Sequence, residues 1–154
     1  MPPREKGAPD QIRPKHLGDY LSVMSKAVFQ SGMSWDVVES KWAGTTEAFH
    51  NWDMKKIAKM GEPDVEKLAK DTRVIRNRRK LAAVLHNAGE MLALEKEHGT
   101  FRKYLRSFND YYALEKDLRK RFKFMGEMGI FYFLYVCREP VPEYEAWQAH
   151  RAKQ

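Results

Sequence analysis

The sequence has a single cysteine, Cys137, among its 154 residues. One thiol excludes an intramolecular disulfide and a cysteine-rich structural zinc site, and it is typical of proteins that work in a reducing compartment. The chain also has no run of 18 apolar residues, and its amino terminus lacks the apolar segment of a signal peptide. We therefore expect a cytoplasmic protein that holds no metal and no cofactor and contacts no membrane.

Several familiar catalytic sets are missing as well. The sequence has no recognisable Ser-His-Asp set, no Gly-rich phosphate loop, and no His/Glu or His/Cys pair with the spacing of metal ligands. It does contain 43% hydrophobic and 12% aromatic residues, which is enough for one domain to bury a core.

The apolar residues follow a helical period. Leu17, Leu21, Met24 and Val28 form one stripe, whereas no segment alternates apolar and polar residues as a strand does. The sequence therefore predicts an all-α fold with a compact helical domain over residues 15–154. Residues 1–14 contain four of the seven prolines and are predicted to be a flexible amino-terminal arm.

Capping and stop signals give approximate helix bounds. Ser34, Thr45 or Thr46, and Asp53 are predicted N-caps, and Gly32, Gly61 and Gly99 are predicted ends. The predicted helices cover about residues 15–31, 34–42, a short stretch after 45, 53–60, 63–70, 77–98, 101–108, 113–121, 125–137 and 143–152.

Positive charge is concentrated in two windows. The formal net charge is +7, with +5 in Lys70–Lys80, +4 in Lys116–Lys123 and −2 in the rest of the chain. Focused basic charge favours a polyanionic partner, because each neutralised phosphate releases condensed counterions. Charge alone leaves open that these helices simply have solvated basic faces.

Residues 63–98 are predicted to form a helix, a short connector and a second helix, with arginines at the connector. In such a hairpin, backbone N–H groups at the start of the second helix can bind phosphates, and nearby Arg and Lys add charge. By itself the pattern is also typical of a charged hairpin that only packs, so it needs support from other segments.

Four short segments give that support by their order along the chain. They are Phe29–Trp35 (FQSGMSW), Phe49–Asp53 (FHNWD), Asp71–Leu81 (DTRVIRNRRKL) and Arg121–Gly126 (RFKFMG). Together they resemble the 3-methyladenine DNA glycosylase I family, which belongs to the helix-hairpin-helix DNA glycosylases. The resemblance implies an enzyme of base-excision repair that flips an alkylated purine out of the duplex and hydrolyses its N-glycosidic bond.

The resemblance also implies roles for single residues around the flipped base. Gly32 and Met33 match the wedge that fills the gap in the base stack, and Trp35 matches the aromatic residue of the base pocket. Gln30 and Ser34 match neighbouring positions, and Phe131 on the last core helix is a further pocket candidate. From residue type alone, plain core packing stays open for Met33, Trp35 and Phe131.

A second set of matches predicts contacts with the phosphates of double-stranded DNA, alkylated DNA included. The predicted DNA-binding residues are Arg73, Ile75, Arg76, Arg78, Lys80, Arg121 and Lys123. Arg73 departs from the glycine that is usual in the family, and a non-glycine residue there disfavours a turn with positive φ. We expect the protein to act as a monomer.

Other departures concern the chemistry itself. The family's base-recognising glutamate maps onto Ala27, and its Cys/His zinc clip has no counterpart, with the carboxy-terminal histidine mapping near Glu143. No catalytic residue can therefore be assigned. Asp36, Glu39 and Glu127 are the acids near the predicted pocket, and each is more typical of a solvated helix charge.

Three functions are thus in competition. The first is a glycosylase, favoured by Gly32, Ser34 and Trp35; the second is a non-catalytic helix-hairpin-helix module that binds DNA, favoured by Ala27. The third is a helical adaptor for an acidic protein partner, which the concentration of positive charge disfavours.

Overall fold

The structure, a computed structural model, describes residues 8–153 and contains α-helices without strands over that range. The all-α prediction is confirmed. The α-helices are Leu17–Gln30 (α1), Trp35–Ala48 (α2), Met54–Ile57 (α3), Glu62–Leu68 (α4), Arg78–His98 (α5), Phe101–Leu105 (α6), Tyr111–Arg121 (α7), Glu127–Val136 (α8) and Tyr144–Ala152 (α9).

The helix ends follow local capping chemistry, at Asp53 and Gly99 as predicted and also at Asn77, which was not predicted as a cap. The side chains of Asp53 and Asn77 accept hydrogen bonds from backbone N–H groups in the first turns of α3 and α5. Gly99 ends α5 with φ of 93°, where a glycine adopts the left-handed conformation without strain. Ser34 precedes α2 in extended conformation but makes no side-chain capping bond.

One helix is longer than predicted. We expected a helix that ends near Trp42 and a separate short helix after Thr45, but α2 continues without a break to Ala48. The Thr45 hydroxyl donates to the Lys41 carbonyl within the helix instead of capping a new one. The predicted break was wrong. At Gly44, α2 lies directly against Arg73 of the connector between α4 and α5, where a β-carbon on Gly44 would lie 3.0 Å from the Arg73 β-carbon.

The core lies between α1, α5 and α8, which pack on one another through fully buried side chains, among them Leu21, Met24, Leu81, Met91 and Phe133. The amino-terminal segment also contacts this core. Ile12 donates its backbone N–H to the Val136 carbonyl (2.8 Å), and Gln11 donates to the Tyr135 carbonyl (2.9 Å). Residues 8–14 are thus tied to α8, while residues 1–7 of the predicted arm lie outside the described residues.

A left-handed turn joins α2 to α3. His50, Asn51 and Trp52 have φ of 59°, 55° and 60°, which non-glycine residues rarely adopt one after another. The turn stacks Trp52 between Phe49 and Trp42, at ring-centroid distances of 5.2 and 5.6 Å. It also brings the Trp52 carbonyl so close to α1 that a β-carbon on Gly18 would lie 2.0 Å from that oxygen. Glycine at residue 18 is therefore required by the packing of α1 on this turn.

The predicted hairpin is present as α4, a connector of nine residues, and α5. Val74 in the connector is buried, and its N–H bonds to the Asp71 carbonyl. Arg73 is not among the described residues with positive φ. The turn therefore forms without the glycine that is usual in the family.

Candidate functional site

A cavity of about 380 Å³ opens where the end of α1, the start of α2 and the start of α8 meet. Its volume lies within the ~300–1,000 Å³ that is typical of small-molecule sites. Its wall consists of Ala27, Gln30, Ser31, Gly32, Trp35, Phe124, Gly126, Glu127, Met128, Gly129, Tyr132 and Arg151. Three of the residues predicted from sequence, Gln30, Gly32 and Trp35, are thus on the wall together.

The turn between α1 and α2 positions the aromatic part of this wall. Gly32 has φ of 70°, so the chain reverses there, and Trp35 begins α2 directly beyond the turn. Trp35 is 42% exposed, which is unusual for a tryptophan, and its ring meets that of Tyr132 edge to face with 5.9 Å between the ring centroids. Burial, and next the nearby Glu39, raise the pKa of Tyr132 to about 12. The phenol is therefore uncharged at neutral pH.

Other predicted pocket and wedge residues lie elsewhere. Phe131 is fully buried on another face of α8, where its ring centroid lies 4.3 Å from that of Trp147. Its predicted place in the pocket is wrong, since Trp147 of α9 covers it. Ser34 is exposed beside the cavity and is not part of its wall, while Met33 is half-buried against the core at the tip of the turn.

Lys80 differs most from its predicted role in phosphate binding. It is only 4% exposed, and its ammonium donates hydrogen bonds to the carbonyls of Phe29 and Ser31. Burial lowers the pKa of Lys80, and the two carbonyls at the end of α1 compensate for the lost hydration. Lys80 therefore fixes the turn that carries Gly32 and Trp35 and is not available to a phosphate.

Two charged residues on the cavity wall were not predicted as site residues. Glu127 is the first residue of α8, and its Oε1 accepts a hydrogen bond from Arg151 Nε on α9 at 3.1 Å. Its Oε2 lies 3.6 Å from Arg119 Nη1. Glu127 was named from the sequence among the acids near the predicted pocket but interpreted as a solvated helix charge, whereas its side chain is only 20% exposed. Residues 127 and 151 are distant in sequence, so no local pattern indicates the pair.

Phe124 lies between the cavity and a neighbouring basic surface. It lines the cavity with φ of 60°, a conformation that is strained for a bulky residue. The guanidinium of Arg79 lies over its ring, 5.7 Å from the centroid. A non-glycine residue held in this conformation is typical of functional sites, and here it joins the cavity mouth to the start of α5.

The exposed arginines at the hairpin fall into two groups. Arg73 forms ion pairs with Asp71 (2.7 Å) and Glu47 (2.9 Å), and Arg78 forms one with Glu66. The carboxylates raise the pKa of Arg73 further above its usual value. By contrast, Arg76 and Arg79 are exposed and have no carboxylate within 4.0 Å among residues 8–153. Their charge is the least compensated at the start of α5.

The remaining predicted contacts are divided between surface and core. Lys123 is exposed near Arg79, and its backbone is held by two hydrogen bonds with the Asn87 side chain. Arg121 is paired with Asp117 at 2.7 Å and with Glu90 at 3.6 Å. Ile75 is partly buried against the core, so it shapes the connector more than it offers a side chain to DNA.

The zinc clip of the resembled family does not fit the residues present. Cys137 is buried inside the fold, and among residues 8–153 no group of three or more His, Cys, Asp or Glu side chains could hold a metal ion. The same range contains no helix with the length and apolarity that a bilayer span needs.

We expect the protein to keep its stability when metals are removed. Because α9 is held by the buried Trp147 and by the pair between Arg151 and Glu127, its docking does not depend on a metal. Thermal unfolding with and without a strong chelator should give the same midpoint. Stoichiometric zinc in purified protein, together with unfolding on chelation, would contradict this expectation.

Comparisons with known proteins agree with these features. A family model described as methyladenine glycosylase matches residues 19–128. The chain is 33% identical to DNA-3-methyladenine glycosylase 1 of Escherichia coli (strain K12) over 129 residues, 70% of this chain and 69% of that protein. It is 35% identical to DNA-3-methyladenine glycosylase of Haemophilus influenzae (strain ATCC 51907 / DSM 11121 / KW20 / Rd) over 126 residues, 68% of each. A crystal structure of 3-methyladenine DNA glycosylase I superposes with a TM-score of 0.70 at 28% identity, covering 82% of this chain and 81% of that one.

Proposed function

The chain belongs to the methyladenine glycosylase family, and we propose that it is a DNA glycosylase of base-excision repair. It hydrolyses the N-glycosidic bond of alkylated purines such as 3-methyladenine in double-stranded DNA. It acts as a monomer in the cytoplasm. The relatives named for this activity support the reaction. The residues that the family model matches, 19–128, include the turn between α1 and α2 and the hairpin.

The cavity beside the basic start of α5 is the observation that carries this proposal. A base inside a duplex cannot be reached, so a glycosylase must hold the extruded base in a pocket while the backbone stays bound outside. Trp35 offers an open aromatic face inside the cavity, and Arg79 and Lys123 lie on the surface that adjoins it at Phe124. We propose that Gly32 and Met33, in the turn that joins α1 to α2, fill the gap that the base leaves; Met33 is half-buried, so its exposed part would enter the gap.

Hydrolysis of the N-glycosidic bond of an alkylated purine needs little assistance from the protein. Alkylation at a ring nitrogen makes the nucleobase cationic, so it leaves as a neutral base when the bond to the sugar breaks. The sugar carbon then gains a bond to water oxygen, and a water proton passes to solvent. The cavity contributes by stacking the base on the open face of Trp35, whose ring Tyr132 supports edge to face.

Trp35→Ala should weaken binding of the damaged base with little effect on folding. Loss of an aromatic stack costs ~1–3 kcal/mol of binding free energy. The free energy of unfolding should fall by less than the ~3–5 kcal/mol that is typical of deleting a buried aromatic residue, because Trp35 is 42% exposed. Single-turnover excision of 3-methyladenine from duplex DNA and a denaturant titration measure the two effects.

Val37→Ala is the matched control, because Val37 is also an exposed apolar residue of α2 but does not line the cavity. Its excision rate should equal that of the unmodified protein. If Trp35→Ala unfolds the protein and Val37→Ala does not, Trp35 is a core residue, and the proposal that it stacks on the extruded base is wrong.

A DNA-binding module without glycosylase chemistry is the second candidate. Ala27 favours it, since this residue lies on the cavity wall where the resembled family has its glutamate, and it can neither donate nor accept a hydrogen bond. The excision assay separates the two candidates. Salt-dependent binding of duplex DNA without release of any methylated purine would support the module and overturn the proposed enzyme.

A further inference from the structure

The cavity wall contains two ionisable residues of opposite charge, Glu127 and Arg151, and they are bonded to each other. The Glu127 side chain is 20% exposed, and it lies at the first residue of α8, where the helix dipole favours a negative charge. Arg151 holds Oε1 from one side. Oε2 is 3.6 Å from Arg119, which is longer than a hydrogen bond, so this oxygen can still accept a strong donor.

We propose that Glu127 is the specificity-determining carboxylate of this cavity: Oε2 accepts an N–H from the amino group of the extruded purine, while Arg151 fixes the carboxylate in place. This inference rests on the proposed glycosylase function and deepens it. It assigns to α8 and α9 the polar recognition that Ala27 on α1 cannot provide.

The chemistry of the ligand supports this assignment. An alkylated adenine carries positive charge on its ring and on its exocyclic amino group, so its N–H groups are strong donors. A carboxylate accepts hydrogen bonds and donates none, and it therefore selects a base edge that presents N–H. The arginine partner keeps the side chain in one rotamer, so less conformational entropy is lost when the base binds.

The other nearby acids fit this role less well. Both oxygens of Glu39 bind the Lys26 ammonium at 2.7 Å, and Glu39 does not line the cavity. Asp36 is exposed on the first turn of α2 and is also absent from the wall. Glu127 is the one acidic residue that lines the cavity within the described part of the chain.

The test compares two free bases that differ by one group. Titration calorimetry with 3-methyladenine and with 3-methylpurine, which lacks the amino group, measures how much the protein gains from the amino N–H. Unmodified protein should prefer 3-methyladenine by roughly 10- to 100-fold, the range expected of a charge-assisted hydrogen bond. Glu127→Gln should lose most of that preference, and it should slow single-turnover excision of 3-methyladenine by a similar factor.

Glu39→Gln is the matched control, since it removes an ion-paired carboxylate beside the cavity without changing its wall. It should keep the preference between the two bases. Glu127→Asp keeps the charge at the start of α8 but withdraws the carboxylate by one methylene group. If Glu127→Gln is too unstable to assay, Glu127→Asp carries the test and should also lose the preference.

The possible failures are distinguishable. If the unmodified protein binds neither base and excises nothing, the proposed glycosylase function is overturned, and the role of Glu127 with it. If the unmodified protein is active and Trp35→Ala weakens it, but the Glu127 variants keep the full preference for 3-methyladenine, the function stands and the assignment of Glu127 is wrong.

Discussion

Binding of this protein to duplex DNA should weaken by about 10²- to 10³-fold when monovalent salt rises from about 50 to about 200 mM. Four to six phosphate contacts would give this loss, since each neutralised phosphate contributes about 0.9 to the slope of log affinity against log salt. The basic windows around the start of α5 and the end of α7 supply the cations. Fluorescence anisotropy of a labelled duplex measures the slope.

The ion pairs at the hairpin indicate which arginines contribute most to the salt dependence of DNA binding. Arg73 and Arg78 must exchange a carboxylate for a phosphate, whereas Arg76 and Arg79 have no carboxylate partner among residues 8–153. We therefore expect the double variant of Arg76→Ala and Arg79→Ala to lower the slope by about 2. Lys103→Ala is the control, because Lys103 lies beyond the far end of the 21-residue helix α5, roughly 30 Å away.

A salt slope near zero would remove DNA as the partner altogether. An equal loss of slope in Lys103→Ala and in the double arginine variant would show that net charge, and not the hairpin surface, determines binding. Either result would also argue against the proposed base pocket, since the cavity opens beside this surface.

Gly18→Ala should destabilise the fold by about 3 kcal/mol or more. The added β-carbon would lie 2.0 Å from the Trp52 carbonyl oxygen, so either α1 or the left-handed turn of residues 50–52 must move. That turn holds Trp52 against Phe49 and Trp42, and its displacement would open the core behind α2. Denaturant unfolding should show a midpoint well below that of the unmodified protein.

Gly89→Ala is the matched control for this prediction. Gly89 lies within α5, and a β-carbon there would meet no atom of another described segment within 4 Å. Alanine should therefore stabilise the protein by about 0.5–1 kcal/mol, because it restricts the unfolded chain and favours the helix. Similar destabilisation by both changes would show that helix propensity, and not the close approach to Trp52, explains the effect at residue 18.

The sequence predicted those parts of the fold that depend on local chemistry. The long helix α5 was predicted to within one residue, because its apolar residues follow one helical stripe and Gly99 ends it. The continuation of α2 past Gly44 could not be predicted, because it depends on packing against Arg73 of a different segment. Local sequence signals thus predicted the helix bounds, except where a contact with a distant segment determined the end of a helix.

In the candidate site, too, the features set by local sequence were predicted and those set by tertiary packing were not. Gln30, Gly32 and Trp35 are close in sequence and share one turn, so a motif could bring them together. Lys80 was wrongly predicted as a DNA contact because residue type does not reveal burial. Its spacing with Val84, Asn87 and Met91 places it on the inward stripe of α5, which is the signal that could have corrected the prediction.

The open position of Trp35 has a spectroscopic consequence. Of the four tryptophans, Trp52 and Trp147 are buried, Trp42 is half-buried and stacked on Trp52, and Trp35 is the exposed one. A neutral collisional quencher such as acrylamide will therefore act mainly on Trp35 emission, while the buried indoles emit at shorter wavelength. The cavity thus contains its own optical reporter, and occupancy by a base can be followed without a label.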